Sequence, residues 1–95
     1  MNYRLYCSSG NTVGVDEYVS YAEIDADGYY VRYLEINSNG TALRYTETHA
    51  ADHLGILPEG PWDDAEASKP EYGHYFVISA QLFESVWAAT RAVNA

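Results

Sequence analysis

Two dipeptides, Asp27-Gly28 and Asn39-Gly40, constrain the fold of this chain more than any other feature. Each separates runs of β-prone residues and each is a hairpin signal, because a two-residue type I′ turn requires positive φ at both central positions. The runs cover residues 18–25, 29–36 and 41–48, so the two turns predict an antiparallel meander. With two-residue loops, Glu23 faces Arg32 and Ile24 faces Val31 across the first turn, while Ile36 faces Leu43, Glu35 faces Arg44 and Arg32 faces Glu47 across the second. One sheet face then carries the rows Val19–Ile36–Leu43, Tyr21–Leu34–Tyr45 and Glu23–Arg32–Glu47. The other carries Ile24–Val31–Thr48, Ala22–Tyr33–Thr46 and Ser20–Glu35–Arg44. Opposite charges across strands favour this register, and a one-residue slip turns every side chain to the other face. A longer loop around Asn37-Ser38-Asn39-Gly40 is the alternative, and it shifts the second hairpin.

A meander needs flanking elements to cover it. Residues 3–7 read as a first strand and residues 74–78 as another short strand or an extended entry into a helix. The helix starts at Ser79, which caps its free amides, with Ile78 placed to pack on Phe83. Leu82, Phe83, Val86, Trp87, Ala89 and Val93 recur at three- and four-residue steps and form one apolar stripe, which predicts packing on the Val19–Ile36–Leu43 face. Between meander and helix, residues 49–73 hold all three prolines. Within them Asp63 is placed to cap one helical turn, while Leu54, Ile56, Leu57 and Trp62 are candidate anchors. Irregular segments of this length are uncommon and often functional. The predicted fold is α+β: a single domain over residues 1–95, with an antiparallel meander sheet of four to five strands packed by one C-terminal helix.

Charge narrows the function. Fourteen acidic residues against five basic give a net charge of -9, which disfavours direct contact with nucleic acid or an anionic membrane. No apolar run reaches the roughly 20 residues of a membrane helix, and the first residues lack a basic-then-apolar signal pattern. A single cysteine, Cys7, has no partner for an internal disulfide and suits a cytoplasmic location. Ten tyrosines and 47% hydrophobic residues argue against an acidic disordered tail.

Catalytic patterns are weak. His49, Asp52 and His53 form the one cluster with a metal-like spacing, but no further ligand follows at a recognisable interval. Cys7 lacks an activating helix start, Ser8-Ser9-Gly10 lacks the strand–turn–helix context of a nucleophile elbow, and no glycine-rich phosphate loop is present. The chain is therefore read as non-enzymatic and without a cofactor. Its acids sit mainly in turns and in residues 49–73, where they form a surface complementary to a basic partner.

Residues 21–36, the Asn39-Gly40 pair, Leu54-Gly55, Pro58 and the ending Ile78 to Trp87 together resemble a family of small uncharacterised bacterial proteins, a domain of unknown function, in the same order over most of the chain. Small acidic members of that family look like immunity proteins, which protect cells against their own toxins. The resemblance implies a binding role and supplies no catalytic residues. The polar stretch from Asn11 to Glu17 and the number of tyrosines depart from it.

The resulting expectation is a non-catalytic acidic binding protein that occludes the active site of a basic, nuclease-like toxin. The contact residues are Asp52, Glu59, Asp63, Asp64 and Glu66 in the long segment, with Tyr33 and Glu35 on the outer sheet face. The alternative is a phage-encoded inhibitor that mimics nucleic acid and blocks a bacterial defence complex. A homodimer through the outer tyrosine face is the plainer option.

Overall fold

Hydrogen bonding along these runs produces seven strands and two helices in the computed structural model, which describes residues 1–10 and 16–95. Strands β1 (Asn2–Ser8), β2 (Tyr18–Ile24), β3 (Tyr30–Asn37) and β4 (Ala42–Thr46) follow one another as an antiparallel meander. The chain then leaves the sheet through a small hairpin, β5 (Ala51–Asp52) and β6 (Gly55–Ile56), and a single turn of helix, α1 (Asp64–Ala67). It returns as β7 (Gly73–Val77), antiparallel to β1, and ends in α2 (Ala80–Ala89). The five-stranded sheet has the order β4-β3-β2-β1-β7, so the predicted α+β architecture is observed. Of the polar stretch from Asn11 to Glu17, residues 11–15 lie outside the described residues.

Both hairpins close with three-residue loops rather than two. Asp25 N–H donates to Tyr29 O at 2.9 Å, and Asn37 N–H donates to Thr41 O at 2.9 Å. Among the described residues only glycines have positive φ, including Gly28 (90°) and Gly40 (85°). Asp27 and Asn39 therefore do not adopt type I′ geometry; each loop is a turn followed by a left-handed glycine. The preceding side chains explain the choice. Asp25 Oδ1 accepts from the amides of Asp27 (2.9 Å) and Tyr29 (3.0 Å), and Asn39 Oδ1 accepts from Thr41 N–H at 2.9 Å.

The extra residue has different consequences in the two hairpins. In the first, a bulge between Glu23 and Ile24 absorbs it. The expected register, including Glu23 opposite Arg32, holds away from the turn, but Ile24 pairs with Tyr30 instead of Val31. In the second nothing absorbs it, and Ile36 pairs with Ala42, Glu35 with Leu43, and Leu34 with Arg44. β4 is thus one residue out of the two-residue register, and its side chains exchange faces. The predicted Glu35–Arg44 and Arg32–Glu47 pairs are replaced, and Leu43 and Tyr45 leave the helix face.

The exchange places Arg44 beneath α2. Its Nη2 donates to Trp87 O and Thr90 O, both at 2.7 Å, and its guanidinium lies 4.3 Å from the centre of the Trp87 ring. A fixed positive charge thereby satisfies carbonyls that the helix end leaves without partners. At the other end, Ser79 Oγ accepts from Leu82 N–H at 3.0 Å, the predicted cap.

Each sheet face carries its own core. On the helix face Leu34, Ala42 and Ala92 are buried with Tyr21, Ile36, Val86 and Trp87 packed against them. On the opposite face Ala22, Ile24, Tyr33, Leu43 and Tyr45 are buried beneath Tyr30, Leu57 and Trp62. The predicted apolar stripe is corrected at three positions, of which Ala89 is exposed at the last turn of α2. Leu82 and Val93 are exposed; the helix stops at Ala89, so the helical period no longer applies at 93 and Ala92 is buried instead.

Replacing Arg44 by Met is expected to destabilise the fold by about 2 kcal/mol, because two charge-assisted hydrogen bonds vanish and the helix carbonyls stay unsatisfied. Glu35→Ala also costs stability, because the hydroxyl of the buried Tyr33 loses its acceptor. The two losses are expected to add in the double variant, whereas the two-residue register, which pairs Glu35 with Arg44, predicts a coupling between them. Chemical denaturation of the single and double variants decides between the registers.

Candidate functional site

The cleft nearest to a binding site forms where the long excursion crosses the sheet face opposite α2. It measures about 430 Å³ and is lined by Tyr6, Tyr18 and Tyr30 of the sheet, by Trp62, Asp63 and Glu66 of the excursion, and by Tyr72. Strand alternation puts Tyr6 on this face with Arg4 and Ser8, opposite the small Ser20 of β2. The bulge at Glu23/Ile24 brings Tyr30 level with Ile24, and so onto the same face.

Trp62 is held in place from several directions. Its backbone N–H donates to Gly28 O at 2.8 Å, and its indole N–H donates to Asp64. The ring meets Tyr6 and Tyr75 edge-on, with centroids 6.1 and 5.8 Å away. Asp64 is in turn bound by Arg4 through two bonds, Nε to Oδ1 at 3.0 Å and Nη2 to Oδ2 at 3.2 Å. A bidentate guanidinium–carboxylate pair of this kind fixes orientation as well as distance. It ties the excursion to β1 and presents the indole to the cleft.

The floor of the cleft is neutral and the rim is negative. Burial raises the hydroxyl pKa of Tyr6 and Tyr18 and pushes that of Tyr30 up to about 12, so all three remain protonated donors at neutral pH. Asp63 accepts from Ala65 N–H at 2.9 Å as the cap of α1. Glu66 carries an exposed partner, Lys69, at 3.0 Å, an arrangement that solvent screens strongly. Aromatic faces beside carboxylates attract a cation, since the ring quadrupole is negative above its plane.

The seven predicted contact residues divide between cleft, surface and interior. Asp63 and Glu66 are at the cleft, and Glu59 is exposed on the excursion. Tyr33 is a correction: it is only 9% exposed, because the excursion covers the face expected to be outer. Its hydroxyl donates to Glu35 Oε1 at 2.8 Å, and Glu35 is itself half-buried. Asp64 is engaged by Arg4 and Trp62. Asp52 gathers four donors: it accepts from Asn94 Nδ2 (2.9 Å), the Leu54 amide (2.8 Å), the Tyr45 hydroxyl (2.8 Å) and the Gly55 amide (3.1 Å). His49 Nε2 lies 3.1 Å from its second oxygen, while His53 is exposed in the β5–β6 hairpin. Among the described residues no three His, Cys, Asp or Glu side chains are gathered to hold a metal ion.

Tyr6 and Tyr30 were not legible as site residues. Period-two alternation of Arg4, Tyr6 and Ser8 was the available signal for Tyr6. Tyr30 had none, because its facing depends on the bulge.

Asp52 sits well below the usual carboxylate range, held there first by Asn94; Arg4 lowers Asp64 and Arg32 lowers Glu23. Depressed folded values mean stability that is present above the unfolded values, near ~4, and lost as pH falls through the folded ones. Thermal unfolding is therefore expected to shift little between pH 7 and 5 and to fall steeply below about pH 4. Asp52→Asn is expected to lower the midpoint at pH 7 and to shrink the loss on acidification; an unchanged acid slope overturns the assignment of Asp52. In comparisons with protein-family models, curated proteins and solved structures, nothing matches this chain.

Proposed function

We propose that the chain is a non-catalytic binding protein that captures a basic protein and neutralises it by occlusion, in the manner of an immunity protein facing a nuclease-like toxin. The observation that carries this reading is the cleft, in which four tyrosines and Trp62 stand beside Asp63 and Glu66. An arginine or lysine side chain of the partner enters it, with the charged head over the rings and toward the two carboxylates. Glu59, exposed on the same excursion, extends the negative field beyond the cleft. Such a field accelerates encounter with a basic surface and selects against acidic ones.

The disposition of the chain's own bases supports the reading. Arg4 is bound to Asp64, Arg32 to Glu23 and Glu84, and Arg44 to α2 carbonyls. These cations are engaged within the fold, so the exposed acids of the excursion face solvent with Lys69 as the nearby base in sequence.

Agmatine, a small guanidinium compound, tests the cleft. Its titration is expected to shift the Trp62 indole N–H signal in nuclear magnetic resonance spectra, while uncharged butylurea does not. The double variant Asp63→Asn/Glu66→Gln is expected to weaken the agmatine response about tenfold, roughly the loss of two screened charge contacts. Equal responses to agmatine and butylurea sink the cation assignment. Purification from the native host at low and high salt tests the partner: a bound basic protein released by salt supports the reading, and a salt-insensitive acidic one opposes it.

A further inference from the structure

The two edges of the main sheet are finished differently. The β4 edge is closed by the chain itself. Val93 N–H donates to Ala42 O at 2.9 Å, Arg44 N–H donates to Asn94 Oδ1 at 2.9 Å, and Asn94 Nδ2 donates to Arg44 O at 3.0 Å. Thr46 and His49 exchange two backbone bonds at 3.1 Å. Every outward position of β4 therefore has a partner.

Among the described residues the β7 edge is left open. Phe76 and His74 pair with Leu5 and Cys7 of β1, and Ile78 N–H donates to Tyr3 O at 3.3 Å. The alternating pattern of antiparallel hydrogen bonds then turns the N–H and C=O groups of Tyr75 and Val77 away from β1. Those four groups have no partner among the described residues. Beside them lie Phe76 and Val77, 54% and 69% exposed, and Leu82 in the first turn of α2 at 45%. The strand has no lysine, arginine, acid or proline, and its pairing with β1 has no bulge. These are the devices by which exposed edges are normally protected.

We propose that β7 is the dimerisation edge of this protein, pairing antiparallel with β7 of a second copy about a two-fold axis at Phe76. Self-pairing satisfies the open groups reciprocally: Tyr75 of one copy exchanges two hydrogen bonds with Val77 of the other, and the same pair repeats across the axis. Phe76 meets Phe76 of the second copy on the helix face, with Leu82 from each protomer on that side. Charge selects the occupant. A basic partner finds no carboxylate on this strand, whereas two chains of net charge -9 meet here without opposing acids. The dimer joins the two sheets into one continuous sheet and leaves the aromatic cleft's acids outside the axis strands. The interface lies at the small end of the stable range, on the order of 1,000 Å² in total, and a micromolar dissociation constant is expected.

Sedimentation equilibrium between 5 and 500 µM, roughly the span that brackets such an affinity, tests the proposal. A monomer–dimer equilibrium that tightens with added salt is expected, because screening relieves repulsion between like-charged chains. Partner capture by the cleft has the opposite salt dependence, so the two readings fail separately. Val77→Pro removes an outward N–H and leaves the bonds to β1 in place; it is expected to be monomeric throughout, with unchanged circular dichroism. Val77→Lys serves where the proline variant does not fold, and is expected to weaken the dimer at least tenfold. A wild-type chain that stays monomeric at high concentration and high salt overturns the proposal, as does a dimer that both variants leave intact.

Discussion

A five-stranded sheet has two faces, and the described residues form one helix of useful length to cover them. That constraint governs the rest of the molecule. The second face carries Ala22, Ile24, Tyr33, Leu43 and Tyr45, too much apolar surface to leave in water at roughly 25 cal/mol per Å². The proline-bearing excursion supplies the missing layer, with Leu57 and Trp62 as its apolar contacts. Because irregular backbone packs less regularly than a helix, it leaves a cleft between itself and the strands. The candidate site is thus a by-product of how the second face is covered.

Holding an irregular layer against a sheet requires directional interactions, and the polar side chains provide them. Arg4 with Asp64 anchors the far part of the excursion, and Asp52 with Tyr45 and Asn94 anchors its beginning to β4 and the C-terminal residues. On the helix side Glu23, Arg32 and Glu84 link β2, β3 and α2, while Tyr3 donates to Glu23 at 2.9 Å. Arg32 also lies 4.8 Å from the centre of Phe83, so its guanidinium is both paired and packed. The acids that remain outside such links are those on exposed turns and on the excursion. Engagement of Arg4, Arg32 and Arg44 within the fold therefore leaves the acids gathered in the excursion as a negative surface.

Much of the architecture was legible in the order of residues. Three β-prone runs with turn dipeptides between them specified a meander, Ser79 specified the start of α2, Asp63 specified α1, and Glu23 opposite Arg32 specified the first register. The second register was not legible, because Asn39-Gly40 fits both a two-residue and a three-residue loop. Asn39 Oδ1 on Thr41 N–H belongs to the longer one. With it Arg44 changed role, from a cross-strand partner of Glu35 to the cap of α2.

The site was legible only in part. Acidic residues in a long irregular segment pointed to Asp63 and Glu66, yet composition cannot distinguish a carboxylate facing solvent from one bound internally, as Asp52 and Asp64 are. Tyr33 shows the same limit for an aromatic ring: alternation gave its sheet face, but not the layer that buries it. The sequence by itself determined what is local, namely strands, turn positions and caps, because those depend on φ, ψ and neighbours within a few residues. Tertiary structure alone decided which face of β4 meets the helix, which acids keep their charge exposed, and which tyrosines share a cleft. Each of these depends on contacts between segments distant in the chain, where a shift of one residue reverses the outcome.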